Sequence, residues 1–456
     1  MECFTIISNE IEGRIDPFYY RPEFRELESA LLKLKHKPLG EIIEFSSETW
    51  NQKDFFDGEF PYIEISEIDT FTGEIQNITY YEKNKAPSRA KMIVRENDII
   101  VSTTRPHRGA IALIDKTKDG FIASTGFAIL RNPKIELNKK YLLFILRTQL
   151  SLKQMLQRSS GGNYPAITSE ELKNIIIPLP SLPVQNRIVS LMEKAYSSKK
   201  SKEAEAQKLL DSINDYVLDE LGIKMPELED KMIFVVNSDD VKGKRIDAYY
   251  YQPKFEEIEK AIRKGKFEVR ELREFVKFIS GYAFSSNDYI YKDGIKLLTI
   301  KNIKEDKIDF TESTLLPFDY KDKYKTFLIK KGDIVIAMTG ATIGKSFIFN
   351  LDEDVLLNQR VGILRCSEKL NRYYLLSFMK SPVFRQKIIR QSCGGAQANI
   401  SENEITSIKI PLPPLPIQNK IAEEIKRRMQ KAEQLQKEAK EELEKAKQEV
   451  EKIILG

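Results

Sequence analysis

Two histidines and three cysteines are all the soft metal ligands that 456 residues offer. His36 and His107 stand far apart, and Cys3, Cys366 and Cys393 show no paired spacing, so no zinc ligand set is present. Three cysteines in so long a chain also give no disulfide framework, and Met1-Glu2-Cys3-Phe4 lacks the basic and apolar regions of a signal peptide; we expect a cytoplasmic protein. No apolar run approaches the roughly 20 residues of a membrane helix, so no membrane is expected as a partner. Charge of one sign is scarce too, with 73 basic against 68 acidic side chains and a net charge of +5. Residues 183–222 and 414–456 together sum to zero, so the positive excess lies on the rest of the chain, where a polyanion could bind.

What the chain does have is itself, twice. Ile177-Pro178-Leu179-Pro180-Ser181-Leu182-Pro183-Val184-Gln185-Asn186-Arg187-Ile188 returns as Ile410-Pro411-Leu412-Pro413-Pro414-Leu415-Pro416-Ile417-Gln418-Asn419-Lys420-Ile421. Arg14-Ile15-Asp16 returns as Arg245-Ile246-Asp247, Asn97-Asp98-Ile99-Ile100-Val101 as Gly332-Asp333-Ile334-Val335-Ile336, and Ile129-Leu130-Arg131 as Ile363-Leu364-Arg365. Ser159-Ser160-Gly161-Gly162 likewise returns as Ser392-Cys393-Gly394-Gly395. A period of half the chain is too long for a solenoid and indicates a tandem duplication of a whole domain plus helix.

Each proline-rich junction reads as the end of a strand (Asn174 to Pro178, Ser407 to Pro411) entering a helix, because proline suits both a strand's end and a helix's first turn. Residues 38–180 read as mainly β, interrupted most clearly by a helix from Lys139 to Gln157, and residues 223–413 repeat that unit. The first long helix carries Ile188, Met192, Ala195, Ala206, Leu209, Ile213 and Tyr216, and stops at Gly222. The second carries Ile421, Ile425, Ala432, Leu435, Ala439, Ala446, Val450 and Ile453 at heptad-like spacing. Neither stripe is stable alone in water. The expected fold is α+β: two tandemly repeated β-rich domains (1–181 and 223–413) separated by an antiparallel two-helix coiled coil (182–222 and 414–456), pseudo-two-fold symmetric. The alternative is that each helix packs on its own domain.

Gly340-Ala341-Thr342-Ile343-Gly344-Lys345-Ser346 imitates a phosphate loop, but it has three residues between the glycines instead of four. A strand, Phe347-Ile348-Phe349, follows it where a helix N-terminus would have to hold phosphate. A hairpin loop is the expected structure. Asp16 and Asp247 are assigned structural work, pairing with Arg14 and Arg245 or capping the helix that follows.

Two such modules, each running into Ile-Pro-Leu-Pro-x-Leu-Pro-x-Gln-Asn-x-Ile and a long helix, resemble the specificity subunit of type I restriction–modification systems, over the whole chain and in the right order. The resemblance implies that each globular unit is a target recognition domain reading half of a split site in double-stranded DNA. It also implies that the helices set the spacing and dock two modification subunits, adenine-N6 methyltransferases, with restriction subunits as further partners. No cofactor is implied in this chain; S-adenosylmethionine belongs on the modification subunits and ATP on the restriction subunit. No Asn/Asp-Pro-Pro-aromatic motif occurs, the nearest string being Asn163-Tyr164-Pro165, and no nuclease motif stands out. No catalytic residue is therefore expected in a chain that is not an enzyme by itself. Base edges are read by Arg, Lys, Asn, Gln, Ser and Thr, and loops carry variable function. In the first module the candidates are Arg105, His107 and Arg108, then Asn51, Gln52, Lys53, Asn163 and Tyr164. In the second they are Thr339, Thr342, Lys345, Tyr282, Ser285, Ser286, Asn287, Gln397 and Asn399.

Overall fold

The computed structural model describes residues 11, 15–51, 56, 58–242, 245–304, 308–392 and 398–456. The candidates Gln52, Lys53 and Gln397, and with them Arg14, Cys3 and Cys393, lie outside the described residues. The chain divides into two compact units, residues 1–203 with 436–456 and residues 204–435. Each unit holds one globular module and part of both long helices, Leu182–Leu221 and Leu415–Leu455.

In the first unit the main sheet has the strand order Ile43–Ser46, Phe127–Pro133, Ile99–Ser102, Ile111–Leu113, all antiparallel. A second sheet runs Thr79–Glu82, Glu59–Ile63, Ile122–Ser124, Ala90–Ile93, with one parallel pair between its middle strands. The second unit repeats the plan. Its main sheet runs Val276–Ser280, Val361–Cys366, Ile334–Ala337, Ser346–Ile348, and its smaller one Thr314–Leu316, Ile295–Leu298, Val355–Leu357. The parallel pair recurs there, while a fourth strand shrinks to a single bridge, Leu328 to Leu356.

The repeated Asp-Ile-hydrophobic motif is scaffolding. Asp98 is fully buried, accepts from the Arg95 amide at 2.8 Å, and is gripped by Arg131 through Nε at 3.1 Å and Nη2 at 2.9 Å. Asp333, likewise buried, accepts from the Lys330 amide at 2.8 Å and from Arg365 at 2.8 and 2.6 Å. Such two-pronged pairs are among the stronger hydrogen bonds. The preceding residue sits at positive φ in both copies, Asn97 at 67° and Gly332 at 91°, which accounts for the residue types there.

The proline-rich junction is a second repeated lock. Tyr141 Oη donates to the Pro178 carbonyl at 2.7 Å, and Tyr374 Oη to that of Pro411 at 2.7 Å. Gln185 Oε1 accepts from the Asn138 amide at 3.0 Å while its Nε2 donates to the Pro180 carbonyl at 3.0 Å. Gln418 does the same with Asn371 at 2.8 Å and Pro413 at 2.8 Å. Asn138 and Asn371 are in turn the N-caps of helices Lys139–Leu146 and Arg372–Lys380. The helix expected from Lys139 to Gln157 is in fact two, Lys139–Leu146 and Gln149–Arg158. The chain breaks where buried Arg147 donates to the carbonyls of Ile111 and Phe71, both at 2.7 Å, and where the Thr148 hydroxyl turns back to Ile145 at 2.8 Å.

In the first unit the long helices run antiparallel. Ser198 meets Glu442 at 2.9 Å, and Lys202, one turn further on, bridges Glu442 at 3.0 Å and Glu438, one turn back on the second helix, at 3.5 Å. In the second unit Ala206 packs on Ala432 and Leu435, Arg428 donates to the Ser212 carbonyl at 3.0 Å, and Lys420 pairs with Glu220 at 3.2 Å, again in opposite directions. The helices also enter the module cores. Ile188, Met192, Ala195, Leu443, Ala446 and Val450 join the main core of the first unit, and Val217, Leu221, Ile421 and Ile425 that of the second. Two details differ from the heptad reading. Leu443 belongs to the seam, and Ile454 rather than Ile453 is buried, because the last buried positions keep a spacing of four. Gly222 ends the first helix at φ 68°, with the Ile223 amide returning to the Leu218 carbonyl at 2.9 Å.

Candidate nucleic-acid interface

Strand register decides which loops share an end of each main sheet. In the first module Ser102 lies opposite Phe127 and Ser46 opposite Ile129, so the chain following Ile99–Ser102 and the chain following Ile43–Ser46 leave the same end. In the second, Ser280 and Ile336 both lie opposite Gly362, so the segments after Val276–Ser280 and after Ile334–Ala337 leave together.

At that end of the first module the structure joins three of the candidate residues. Thr104 bridges Ala166, and the Arg105 amide donates to the Pro165 carbonyl at 2.7 Å. The Arg105 guanidinium donates to the Asn163 carbonyl at 2.7 Å and lies over the Tyr164 ring at 4.0 Å, an exposed cation–π pair. Arg105 is held at φ 49°, a left-handed conformation that few arginines adopt. His107 turns Nδ1 inward without a hydrogen-bond partner among the described residues. Burial, with the charges of Arg108 and Arg105 beside it, pushes the His107 pKa down and so favours the neutral ring. Arg108 is exposed, as is Asn51 beyond Ile43–Ser46.

The second module has the same backbone with other side chains. Thr339 bridges Asn399, and the Gly340 amide donates to the Ala398 carbonyl at 2.9 Å. Gly340 at φ 69° thus occupies the position of Arg105, and Gly344 at φ 79° that of Gly109 at φ 80°. The phosphate-loop lookalike is the expected hairpin, since Ile336 pairs with Ser346 across it and Gly340–Thr342 is only a 3-10 turn. Thr339 buries its Oγ1, whereas Thr342 and Lys345 remain half exposed, with Thr342 Oγ1 donating to the Thr339 carbonyl at 3.2 Å. Ser285, Ser286 and Asn287 are exposed, and Ser285 caps its own turn by accepting from the Asn287 amide at 3.2 Å. Tyr282 packs against Phe284, Tyr324 and Phe327 with ring centroids 4.8 to 5.2 Å apart and is still exposed.

One turn at this end escaped sequence reasoning, Asn358-Gln359-Arg360, between the strands Val355–Leu357 and Val361–Cys366. In the first copy Ser124-Thr125-Gly126 stands at the equivalent place. Asp247 caps the Tyr250 amide at 3.1 Å and pairs with Arg245 at 2.8 Å, and Asp16 accepts from the Tyr19 amide at 3.0 Å, the structural work expected of both. Among the described residues no group of histidines, cysteines and carboxylates could hold a metal, and no helix is long and apolar enough to cross a membrane.

Residues 33–211 and 264–445, most of the chain and both copies, match the type I restriction modification DNA specificity domain. The chain belongs to that family. It is 27% identical over 405 residues to the type I restriction enzyme MjaVIII specificity subunit of Methanocaldococcus jannaschii, covering 88% of this chain and 86% of that one. The EcoKI specificity subunit of Escherichia coli is 32% identical over 142 residues, 30% of either chain. A solved chain from work on complex assembly and conformational transition of the type I R-M system superposes with a TM-score of 0.55 at 21% identity, covering 92% of this chain and 96% of that one. The protein is thus a type I specificity subunit, the DNA-recognition component of a restriction–modification system and not its catalyst.

Proposed function

We propose that each module of this specificity subunit reads one half of a bipartite duplex target with the loops at one end of its main sheet. The observation that carries the reading is the loop pair itself. Thr104/Ala166 and Thr339/Asn399 form the same bridge on the same backbone, yet almost every outward side chain on it differs. A common scaffold with unlike loops suits two unlike half-sites. The long helices, 40 and 41 residues, act as the spacer between the half-sites and as the seat for two modification subunits. Those subunits supply S-adenosylmethionine and methylate adenine N6, the restriction subunits bring ATP, and the complex works in the cytoplasm. To test this, the chain is co-expressed with its modification subunits in a host lacking other adenine methylation, and the methylated sites are sequenced. Two short half-sites around a fixed run of unread base pairs are expected; a single continuous site, or none, would overturn the reading.

A further inference from the structure

We propose that Arg360, with Gln359 beside it, is the principal base-reading element of the second module; this rests on the DNA-reading role above and names where that reading happens. The turn lies at the centre of the candidate surface. On one side the Gln359 amide donates to the Tyr282 carbonyl at 3.0 Å, and the Tyr282 amide donates to the Leu357 carbonyl at 2.9 Å. On the other side the Met338 amide donates to the Arg360 carbonyl at 3.0 Å, and the Ile400 amide donates to the Met338 carbonyl at 3.0 Å. One backbone ladder therefore runs from the Tyr282 loop through Gln359-Arg360 to the Thr339 loop and on to Asn399. The approach is too close for a side chain at Gly281, where a Cβ would stand 2.1 Å from the Asn358 carbonyl oxygen. The turn is pinned from within as well, with the Asn358 amide on the Leu298 carbonyl at 3.1 Å and the Val361 amide on the Asn358 carbonyl at 2.9 Å.

Both Gln359 and Arg360 are exposed on this rigid support. Among the described residues the Arg360 guanidinium has no carboxylate, carbonyl or ring to hold it, unlike Arg365, which is spent on Asp333. A long bidentate donor and a long amide, adjacent on a fixed turn, match two direct contacts in a major groove, arginine with guanine O6/N7, the commonest, and glutamine with adenine N6/N7.

Comparison with the first module supplies the second argument. The Thr103 amide donates to the Gly126 carbonyl at 2.8 Å, as Met338 does to Arg360, so Gly126 is the counterpart of Arg360. A Cβ on Gly126 would stand 2.8 Å from the Ile65 Cδ1 methyl, so a side chain there needs Ile65 to move aside. The first module instead carries its arginine at position 105, where the second has Gly340. The long cation and the glycine have exchanged places between two positions of one surface. The first module so carries arginines at 105 and 108 there, and the second carries Arg360 from a different point.

The test selects from a random-sequence duplex library with the complex of specificity and modification subunits, comparing wild type, Arg360→Ala and Arg360→Lys. Wild type is expected to enrich a bipartite target. Arg360→Ala should lower discrimination at one position of one half-site by roughly 5- to 150-fold, the range for a bidentate base contact, and leave the other half-site unchanged. Arg360→Lys keeps the charge and loses the fork, so it should relax the same position while leaving non-specific affinity and its salt dependence as in wild type. If wild type enriches a bipartite target and both variants enrich the identical target with equal discrimination, Arg360 reads no base and the inference fails while the bipartite reading stands. Uniform weakening of binding by Arg360→Ala, with a shallower salt dependence and discrimination unchanged at every position, would make the residue a phosphate contact and also overturn it. A wild type that enriches nothing refutes the bipartite reading itself.

Discussion

The two modules agree where side chains point inward and disagree where they point out. Asp98 with Arg131 and Asp333 with Arg365 hold the same turn, and Tyr141 and Tyr374 close the same junction. Yet Arg105 corresponds to Gly340 and Gly126 to Arg360 at matched backbone positions of the candidate surface. Duplication kept the residues that fix the backbone, and divergence changed those that can touch a ligand. Specificity can then change without loss of fold, because the variable positions carry little of the packing.

The largest effect that would probe this comparison is at the buried ion pair. Asp333→Ala leaves Arg365 without its carboxylate and frees the Lys330 amide, for a loss of about 3 kcal/mol. Asp98→Ala should cost less, because Arg131 retains Glu48 as a second carboxylate. Denaturant unfolding of both variants checks the order; equal losses would mean that Glu48 does not substitute. At the junction, Tyr141→Phe and Tyr374→Phe each leave a buried proline carbonyl unmet and should cost about 1–2 kcal/mol each, alike in both modules. A difference of more than that amount between them would break the symmetry argued for the scaffold.

The smallest effect belongs to one unit alone. Lys447 lies over the Phe71 ring at 4.4 Å, and burial, with Arg147 near, pulls its pKa down to about 8, whereas its counterpart in the first helix is neutral Asn214. A cation whose folded pKa is depressed binds fewer protons folded than unfolded between about pH 8 and its ordinary value, so its contribution to stability rises with pH across that window. Below it the penalty is present in full. Lys447→Met should therefore stabilise at pH 7 by roughly 1 kcal/mol, discounted for partial exposure, and flatten stability between pH 8 and 10. Thermal melts at a series of pH values measure it, and an unchanged slope would contradict the assignment.

Much of this was legible in the sequence. The doubled Pro-rich junction, the Asp-Ile runs and the heptad-like stripes give the duplication and the antiparallel helices, because each depends on local chemistry or on periodicity. The hairpin at Gly340–Lys345 followed from glycine spacing and the strand behind it. The break at Arg147 was not legible, since it depends on carbonyls of Ile111 and Phe71 brought in by the tertiary fold. Arg360 was missed for the same reason. Tyr282, Met338 and Arg360 are far apart along the chain and meet only through strand register. Of the loop candidates, Arg105, Asn163 and Tyr164 were brought together, and Thr339 with Asn399, whereas Thr339 itself turned its hydroxyl inward.

The central claim is that each module reads its own half of the target. The most direct measurement replaces residues 38–180 with the matching segment of a relative of known, different target and maps methylated sites by sequencing. Exchange of one half-site, with the other half-site intact, is the predicted result. Alteration of both half-sites, or of neither, would contradict it.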